Sequence, residues 1–293
     1  MKMELLYRPK KPDTIKRFML ENNIPVKLVV EQRGKQLIYV NNEQKTREDT
    51  VRKGDSLRII IQDEKYDQQI KPEPIPLDIR YEDEYFLIVN KPNGMQVMVS
   101  KARPTGTLAN ALNHYFQERQ IHTQIHYINR LDKETSGLML VAKNRFLKFL
   151  FSSKTDNAVE REYYAILDGI LENKRLCIEL PISRTEGTIL REVSLQGEEC
   201  QTTYQVEREF GKYSLVRITS ESGKTHQIRV HFAYFNFPIV GDDLYNDNRY
   251  PKVDRMLLMS HRICFQHPIK DQKVEAILPL EEAFASFIKR NGG

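Results

Sequence analysis

Cysteine is scarce in this sequence, and its scarcity argues against two kinds of structure. The 293 residues contain three cysteines, Cys177, Cys200 and Cys264, which lie far apart. An odd number of distant cysteines provides neither a disulfide framework nor a cysteine-based metal site. We therefore expect unpaired thiols and a protein of the reducing cytoplasm.

Long hydrophobic runs are also absent. No apolar segment approaches the roughly 18 residues needed to span a bilayer, and residues 1–4 do not begin a segment like that of a signal peptide. With 29% charged and 40% hydrophobic residues, the composition is that of an ordinary soluble globular protein. The sequence predicts no association with membranes.

Neither a glycine-rich phosphate loop nor a metal-binding cluster is evident. His226 and His231 lie five residues apart, whereas two histidines that chelate a metal from one face of a helix lie four apart. A metal site at these two histidines is therefore not expected.

The net charge of +5 is unevenly distributed along the chain. Residues 1–65 contain 15 lysines and arginines against 10 aspartates and glutamates, whereas residues 66–293 contain 30 of each kind. The whole positive excess therefore lies at the N-terminal end. A basic segment on a neutral body is typical of a module that binds phosphates, although an ordinary solvated basic surface would have the same charge.

A proline-rich stretch divides the chain. Pro72, Pro74 and Pro76 occupy alternate positions, and prolines with this spacing fit neither a central strand nor a helix interior. The stretch is therefore predicted to be a stiff, extended linker. This places a small basic domain at residues 1–70, the linker at residues 71–76 and a larger domain at residues 77–293.

In the small domain we predict one helix packed on short strands. Asp13 is the expected N-cap of a helix from Thr14 to about Asn22, because Ile15, Phe18 and Met19 fall on one face. Apolar, β-rich segments predict strands at Met3–Tyr7, Val26–Val30, Leu37–Val40 and Leu57–Ile61.

The larger domain shows helix and strand patterns in alternation. Thr107 and Asn144 are expected to cap two helices with apolar stripes, and strands are predicted at Phe86–Val89 and Glu160–Gly169. Residues 223–232 fit either a strand or a helix. A helix capped by Thr225 is favoured, because its apolar stripe continues to residue 235.

The stretch most indicative of chemistry is Asn129–Val141. Asp132 lies close to Arg130, a Thr-Ser-Gly turn follows, and the apolar run Leu138–Ala142 predicts a buried strand. Asp132 is therefore expected on a loop at the rim of a rigid sheet, where catalytic groups commonly lie. From spacing alone, a surface loop with a weak Arg130–Asp132 ion pair is the alternative.

The pattern Arg-Leu-Asp-x-x-Thr-Ser-Gly-Leu-x-Leu, which begins at Arg130, resembles the catalytic-loop signature of the RluA-type pseudouridine synthases. By that resemblance Asp132 is the catalytic aspartate. The signature normally begins with histidine, whereas this chain has Asn129.

A second stretch is similar to another motif of the same family. Arg161, Tyr163, Ala165 and Gly169 fit its spacing of basic residue, tyrosine, alanine and glycine. Because neighbouring residues of a strand face opposite sides, this resemblance nominates Tyr163 and not Tyr164 for the site.

The third resembling stretch is Gly223–His231, which is similar to the motif Gly-Arg/Lys-x-His-Gln-Ile-Arg-x-His. The resemblance implies that Arg229 lies against the catalytic aspartate, with Lys224 as a weaker candidate for that position. A Lys-Pro-x-Gly segment at residues 91–94 and the segment 238–245 also resemble the family, so the likeness runs from about residue 77 to the end.

The N-terminal domain resembles the alpha-L RNA-binding module of a small-subunit ribosomal protein. The likeness rests on the helix followed by Tyr39–Asn42 and Val51–Leu57, and such a module often precedes this type of synthase. It implies that residues 1–70 bind RNA. A generic β-rich domain without an RNA role is the alternative.

Together these resemblances imply an α+β catalytic domain with a mixed, largely antiparallel sheet flanked by helices. They imply a monomeric enzyme that isomerises uridine in structured RNA, with ribosomal RNA favoured over transfer RNA as the substrate. They also imply that the enzyme binds neither DNA nor membranes and needs no cofactor. The implied catalytic residues are Asp132, Tyr163 and Arg229, and the implied substrate contacts are Arg130, Lys224 and Asn129. Arg130 would fill the stack left by a flipped uridine or hold a phosphate.

Two alternatives remain at this stage. An inactive RNA-binding protein of the same fold is favoured by Asn129 and by Met259–Ser260, where the family usually has His-Ala. A glycosidase would use paired carboxylates such as Asp132 and Glu134. The joint presence of an aspartate, a tyrosine and an arginine in three matching motifs favours the synthase.

Overall fold

The computed structural model describes residues 3–22, 24–26, 37–61, 66–151, 159–220, 222–246 and 253–292. They form a small N-terminal unit on a four-stranded sheet and a larger unit on a ten-stranded sheet. Most of the predicted strand Val26–Val30 lies outside the described residues. In the described part of the chain, no helix is both long and apolar enough to cross a membrane.

In its described residues, the N-terminal unit packs the predicted helix on its sheet. Its elements are β1 (Met3–Tyr7), β2 (Asp13–Thr14), α1 (Ile15–Glu21), β3 (Ile38–Val40), β4 (Glu43–Gln44), β5 (Thr50–Val51) and β6 (Leu57–Ile61). The sheet order is β1-β6-β3-β4, and β2 pairs with β5. Ile15 and Met19 of α1 pack against Leu57 and Ile59 of β6 in one core.

The cap of α1 differs from the prediction. Thr14, and not Asp13, is the N-cap, since its side chain accepts a hydrogen bond from the backbone N–H of Arg17 at 3.3 Å. Asp13 and Thr14 both lie in β2, where they pair with Val51 and Thr50 of β5. Both residue types cap helices well, and the side chain of Asp13 instead accepts the backbone N–H of Thr14 at 2.8 Å.

The larger unit contains twelve strands and four helices among its described residues. Its elements are β7 (Asp78–Glu82), β8 (Phe86–Lys91), α2 (Leu108–Glu118), β9 (His126–Tyr127), β10 (Ser136–Ala142), α3 (Arg145–Phe149), β11 (Val159–Asp168), β12 (Arg175–Glu179), β13 (Ile182–Arg184), β14 (Arg191–Val193), β15 (Gln201–Phe210), β16 (Tyr213–Ser220), α4 (Gln227–Tyr234), β17 (Leu258–Gln266), β18 (Lys273–Ile277) and α5 (Glu282–Arg290). Thr107 and Asn144 cap α2 and α3, as predicted.

The large sheet is mixed and largely antiparallel, which confirms the expected fold class. Its order is β12-β15-β16-β11-β17-β10-β8-β7, with β18 added to β17 and β9 added to β10. Among the described pairs, β10 and β17 run parallel and the others run antiparallel.

Strand β10 is buried at all seven positions because both faces of the sheet are covered. Leu138 and Leu140 enter the core that contains residues of α3 and α5, whereas Met139 and Val141 enter the core that contains residues of α2 and α4. A strand covered on both faces reads as a continuous apolar run, which explains why residues 138–142 were recognisable in the sequence.

A close approach between strands brings two of the sequence motifs together. On β17, Ser260 pairs with Gly137 of β10 on one side and with Tyr163 of β11 on the other. Gly137 has a φ of +109°, and a Cβ there would overlap the backbone of Ser260. Glycine is therefore required at this point, where β17 joins the start of β10 to Tyr163.

The linker is extended but is held along α2 in its first half. Asn110 donates to the carbonyl of Lys71 at 2.8 Å, and Asn113 donates to that of Ile70 at 2.5 Å. Met3 and Ile61 of the N-terminal unit also pack into a core of the larger unit. The two units therefore share packing, and the domain limits 1–70 and 77–293 stay a prediction.

Candidate active site

The loop between β9 and β10 carries Asp132, and this loop forms one wall of a small pocket. The pocket has a volume of about 50 Å³. Asp132 is about one quarter exposed, and its backbone carbonyl accepts a hydrogen bond from Thr135 at 3.2 Å. Among the residues that line the pocket are Arg130, Asp132, Tyr163, Lys224, His226 and Arg229.

Arg229 extends from α4 toward Asp132, as expected, but its principal partner is a different carboxylate. Its Nε and Nη2 donate to the two oxygens of Asp242 at 2.7 Å each. Its Nη1 donates to Oδ2 of Asp132 at 3.3 Å. A guanidinium can bridge two carboxylates in this manner because its donors form a rigid fork.

The electrostatics of Arg229 follow from its burial, since its side chain is only 2% exposed. Burial acts to lower the pKa of this guanidinium, but the hydrogen bonds and charge of Asp242, with a contribution from Asp132, raise it above its ordinary value. The cation facing Asp132 is therefore permanent.

Asp242 is itself held in place. Its side chain is buried, and Oδ1 also accepts backbone N–H groups of Leu244 at 2.9 Å and Tyr245 at 3.2 Å. The ring of Tyr245 lies under the guanidinium of Arg229, with 5.2 Å between Cζ and the ring centroid. Cation–π packing and the bidentate pair together fix the orientation of Arg229.

Tyr163 and Tyr164 face opposite sides of the sheet. Tyr163 is buried and lines the pocket with Asp132, whereas Tyr164 packs against the ring of His261 at 4.5 Å on the other face. Burial raises the pKa of the Tyr163 hydroxyl, Asp132 adds to this effect, and Arg161 opposes it. Tyr163 therefore presents a protonated hydroxyl to the pocket at neutral pH.

A bulge determines how Tyr163 meets the pocket. The register of β11 against β17 shifts between Glu162, opposite Arg262, and Tyr163, opposite Ser260, so His261 is the extra residue. Bulges of this kind redirect side chains next to active sites. The alternation of the sequence placed Tyr163 and Tyr164 on opposite faces, the family resemblance chose Tyr163, and neither indicated this shift.

The Lys-Pro-x-Gly segment begins at Lys91, the last residue of β8, and is hydrogen-bonded to the loop that carries Asp132. The ammonium group of Lys91, fully buried, donates to the carbonyls of Pro92, Met95 and Lys133 at 2.9, 2.9 and 3.1 Å. Gly94 donates to the same carbonyl of Lys133 at 2.9 Å. Burial lowers the pKa of Lys91 to about 8, with the carboxylates of Glu134 and Asp132 opposing.

Asn129 does not line the pocket, although a substrate contact was expected of it. Its Oδ1 accepts the N–H of Leu140 at 2.7 Å, and its Nδ2 donates to the carbonyl of Leu138 at 3.4 Å. The buried amide therefore ties the start of the loop to β10. Asparagine at this position has a positioning role in the fold, so its presence does not count against activity.

Arg130 and Lys224 both line the pocket, but they differ in their described contacts. Arg130 is exposed at the rim. Lys224 forms an ion pair with Glu198 and makes no contact with Asp132 among its described interactions. Glu134, the second carboxylate of the glycosidase alternative, pairs with Lys133 at 3.1 Å and does not line the pocket.

Helix α4 is present as predicted, but it begins at a different residue. His226, and not Thr225, is the N-cap, with a left-handed backbone and no side-chain capping bond. Gln227 anchors this turn instead, because its Oε1 accepts the N–H of Lys224 at 3.0 Å and its Nε2 donates to Thr202 at 2.9 Å.

Sequence reasoning missed four residues of this site, namely Lys91, His226, Asp242 and Tyr245. Asp242 and Tyr245 belong to a segment that was matched to the family without any assigned role. One signal was available, because a buried arginine requires a carboxylate and Asp242 follows an apolar stretch that ends in Gly241. The roles of Lys91 and His226 depend on contacts that no local pattern indicates.

Comparison with known proteins identifies the family. The RNA pseudouridylate synthase family model matches residues 85–234, a span that contains Asp132, Tyr163 and Arg229. The chain is 32% identical over 279 residues to the uncharacterized RNA pseudouridine synthase YjbO of Bacillus subtilis (strain 168), covering 94% of this chain and 98% of that protein. The chain belongs to the RNA pseudouridylate synthase family.

Other relatives and structures agree. The synthase is 33% identical over 237 residues to ribosomal large subunit pseudouridine synthase D of Escherichia coli (strain K12), which covers 75% of this chain and 72% of that protein. The structure of human RNA pseudouridylate synthase domain containing 1 superimposes with a TM-score of 0.56 at 26% identity, over 71% of this chain and 84% of that chain. The protein is an RNA pseudouridine synthase, and its substrate is RNA.

Proposed function

We propose that this synthase isomerises a uridine of ribosomal RNA and that Asp132 is its reacting carboxylate. The choice of ribosomal RNA is supported by relatives named as ribosomal large subunit synthases, at 33–35% identity over about three quarters of the chain. The observation that carries the assignment of Asp132 is its position in one pocket with Tyr163 and the locked guanidinium of Arg229.

The reaction is an isomerisation and balances without a cosubstrate. The bond between N1 of uracil and C1′ of ribose breaks, the base rotates, and a bond between C5 and C1′ forms. C5 loses its proton, and N1 ends with one. A carboxylate suits this sequence because it can act as a nucleophile on carbon or stabilise positive charge at the sugar.

Asp132 faces one fixed cation in the pocket. The Nη1 of Arg229 donates to Oδ2 of Asp132 at 3.3 Å, and Asp242 prevents the guanidinium from turning away. Arg229 therefore orients the carboxylate of Asp132 and leaves its second oxygen open to the pocket.

Tyr163 is the group that contacts the base. Its ring forms part of the pocket wall opposite the catalytic loop, where it can stack on uracil. Its protonated hydroxyl can accept the proton from C5 while it donates its own, and in this way it relays a proton without becoming a phenolate.

The pocket must widen to admit a base. Its volume is about 50 Å³, whereas a cavity of roughly 150 Å³ holds benzene. Arg130 lies exposed at the rim, on the same loop as Asp132. Extruding a uridine from a stack costs a few kcal/mol, and a guanidinium that fills the vacated position or holds a neighbouring phosphate offsets part of that cost.

Purified synthase tests the substrate class directly. Unmodified transcripts of large-subunit ribosomal RNA and of transfer RNAs from the same organism are incubated with the enzyme, and pseudouridine is mapped at single-nucleotide resolution. We expect modification of one or a few uridines in the ribosomal transcript and none in the transfer RNAs. Modification confined to transfer RNA would contradict the proposed substrate.

Tyr163→Phe and Tyr164→Phe form a matched pair that tests which tyrosine acts. Removing the hydroxyl of Tyr163 should slow pseudouridine formation by about 10²-fold, the scale of a lost proton relay, while RNA affinity stays close to that of the parent. Tyr164→Phe should be close to neutral, because its ring packs on the opposite face. Single-turnover rates measure both, and equal effects would show that the hydroxyl of Tyr163 has no special role.

Deletion of residues 1–65 tests the N-terminal unit as an RNA-binding module. The deleted segment carries the whole excess of +5, so binding to the RNA substrate should weaken and depend less on salt. Each lost phosphate contact removes roughly 0.7–0.9 from the slope of log K against log salt. An unchanged slope would exclude a phosphate-holding role.

A second truncation provides the control for folding. Deleting residues 1–70 also removes Ile70, whose carbonyl accepts from the buried Asn113 at 2.5 Å. Leaving such a donor without its partner costs about 1–3 kcal/mol. The longer deletion should therefore unfold at lower denaturant concentration than the shorter one, with the same salt slope in RNA binding.

A further inference from the structure

His226 has a backbone conformation that non-glycine residues adopt infrequently. Its φ of +58° lies in the left-handed region, and residues held there concentrate at functional sites. The side chain does not serve the helix that it precedes, because it makes no capping hydrogen bond. The position of the imidazole therefore needs an explanation other than helix capping.

The ring lies between the catalytic loop and Tyr245. Its Nδ1 is 2.8 Å from the hydroxyl oxygen of Tyr245, and its Nε2 is 3.8 Å from Oδ2 of Asp132. The side chain is 12% exposed. The charged groups that act on it are Asp132, Arg229, Asp242 and Arg191.

The contacts of Tyr245 bear on which nitrogen of His226 carries the proton. The backbone N–H of Arg191 donates to the hydroxyl oxygen of Tyr245 at 2.8 Å. That hydroxyl still has its own proton to donate, and Nδ1 of His226 at 2.8 Å can accept it. A neutral imidazole with an accepting Nδ1 carries its proton on Nε2, the nitrogen that faces Asp132. Burial lowers the pKa of His226, which keeps the ring neutral.

The two oxygens of Asp132 are in different surroundings. Among the residues that the structure describes, the guanidinium of Arg229 and the imidazole of His226 both approach Oδ2 of Asp132. Oδ1 is therefore the oxygen available to the pocket. The separation of 3.8 Å from Nε2 is longer than a hydrogen bond, but catalytic hydrogen bonds commonly shorten when substrate binds, and this pocket must rearrange to admit a base.

We propose that His226 is a positioning residue for Asp132. Its neutral imidazole, with a tautomer set by Tyr245, donates from Nε2 to Oδ2 when RNA is bound, so that Oδ1 is the oxygen that reacts with the uridine. This inference rests on the proposed catalytic role of Asp132. It assigns to the Tyr245–His226 pair a function in catalysis that does not involve contact with the RNA.

Two amide substitutions separate this role from a structural one. In His226→Gln the amide nitrogen can reach the position of Nε2 and donate to Asp132, whereas in His226→Asn the shorter amide reaches only the position of Nδ1. We expect the single-turnover rate with saturating RNA to fall less than about 5-fold in His226→Gln and roughly 10- to 100-fold in His226→Asn, the scale of a lost hydrogen bond to a charged group. RNA affinity should be unchanged in both.

A purely structural role predicts the reverse order. Asparagine tolerates the left-handed backbone better than glutamine does, and its amide still reaches Tyr245. If His226→Asn is as fast as His226→Gln or faster, the positioning role is wrong. Asp132→Asn is measured in parallel, because appreciable turnover by that variant would show that the proposed function itself has failed.

A spectroscopic measurement on the unsubstituted protein removes any dependence on how the variants fold. The nitrogen chemical shifts of His226 are recorded by NMR on protein labelled with ¹⁵N-histidine and assigned by comparison with His226→Asn. We expect a protonated Nε2 and an unprotonated Nδ1 at neutral pH, and a change in tautomer populations in Tyr245→Phe. A ring protonated on Nδ1 would overturn the proposal.

Discussion

Asp132→Asn is expected to reduce pseudouridine formation by roughly 10⁴-fold or more, the scale of losing a catalytic nucleophile. The substitution keeps the size of the side chain and removes its charge. Arg229 keeps its bidentate pair with Asp242, so no buried charge loses its partner. Folding and RNA affinity should therefore stay close to those of the parent.

Glu134→Gln is the matched control for that substitution. It makes the same chemical change two residues further along the same loop, at a carboxylate that pairs with Lys133 and does not line the pocket. Single-turnover rates and RNA affinities of the two variants are compared. Turnover by Asp132→Asn above a few per cent of the parent, or a similar loss in Glu134→Gln, would contradict the assignment of Asp132.

Arg229→Lys is expected to slow the reaction by about 10²-fold to 10³-fold, as when one preorganised donor is removed from a reacting group. A lysine keeps the positive charge, but its single ammonium group cannot bind both oxygens of Asp242 and still reach Asp132. With the cation displaced, Oδ2 of Asp132 loses the donor that orients it. The loss should therefore appear in the single-turnover rate at saturating RNA and not in RNA affinity.

Two further variants complete that test. Arg229→Ala should lose about 3–5 kcal/mol of stability, because it leaves the buried carboxylate of Asp242 unpaired, and its rate loss should exceed that of Lys224→Ala, whose partner is Glu198. Denaturant unfolding, single-turnover rates at saturating RNA and RNA affinities are the measurements. An unchanged single-turnover rate for Arg229→Lys, with weakened RNA binding, would show that Arg229 holds the substrate and that another group pairs with Asp132.

The parts of the site that were predictable are those with a periodic or local signature. The continuous apolar run after Gly137 indicated a strand buried on both faces, and the alternation along β11 separated Tyr163 from Tyr164. The stripe of Ile228 and Phe232 indicated that residues 227–234 form a helix. Each of these signals arises because the buried face of an element is apolar. They are strong in the larger unit because both faces of its sheet are buried.

Features that depend on contacts between distant segments were not predictable. The start of α4 is set by Gln227 through its bonds to β15 and to Lys224, which outweigh the intrinsic preference for Thr225 as a cap. Asn129 was expected to contact the substrate, yet both ends of its amide bond to the backbone of β10. In both cases the role of the side chain depends on hydrogen bonds to strands that are distant in the sequence, which the residue type alone does not indicate.

The partner of Arg229 illustrates the same limit. Family resemblance predicted the contact with Asp132, and that contact is present at 3.3 Å. The stronger pair, with Asp242 at 2.7 Å, is what makes the contact rigid. The sequence motifs indicated Asp132 and Arg229, but they did not indicate Asp242, which holds Arg229 in place.

The most direct test of the account compares cells that lack this gene with cells that carry it again. Pseudouridines are mapped in large-subunit ribosomal RNA and in transfer RNA after complementation with the parent chain, with Asp132→Asn and with Glu134→Gln, at matched protein levels. We predict that one or a few pseudouridines of ribosomal RNA disappear in the deletion strain. They should return with the parent chain and with Glu134→Gln, but not with Asp132→Asn. Restoration by Asp132→Asn, or a loss confined to transfer RNA, would contradict it.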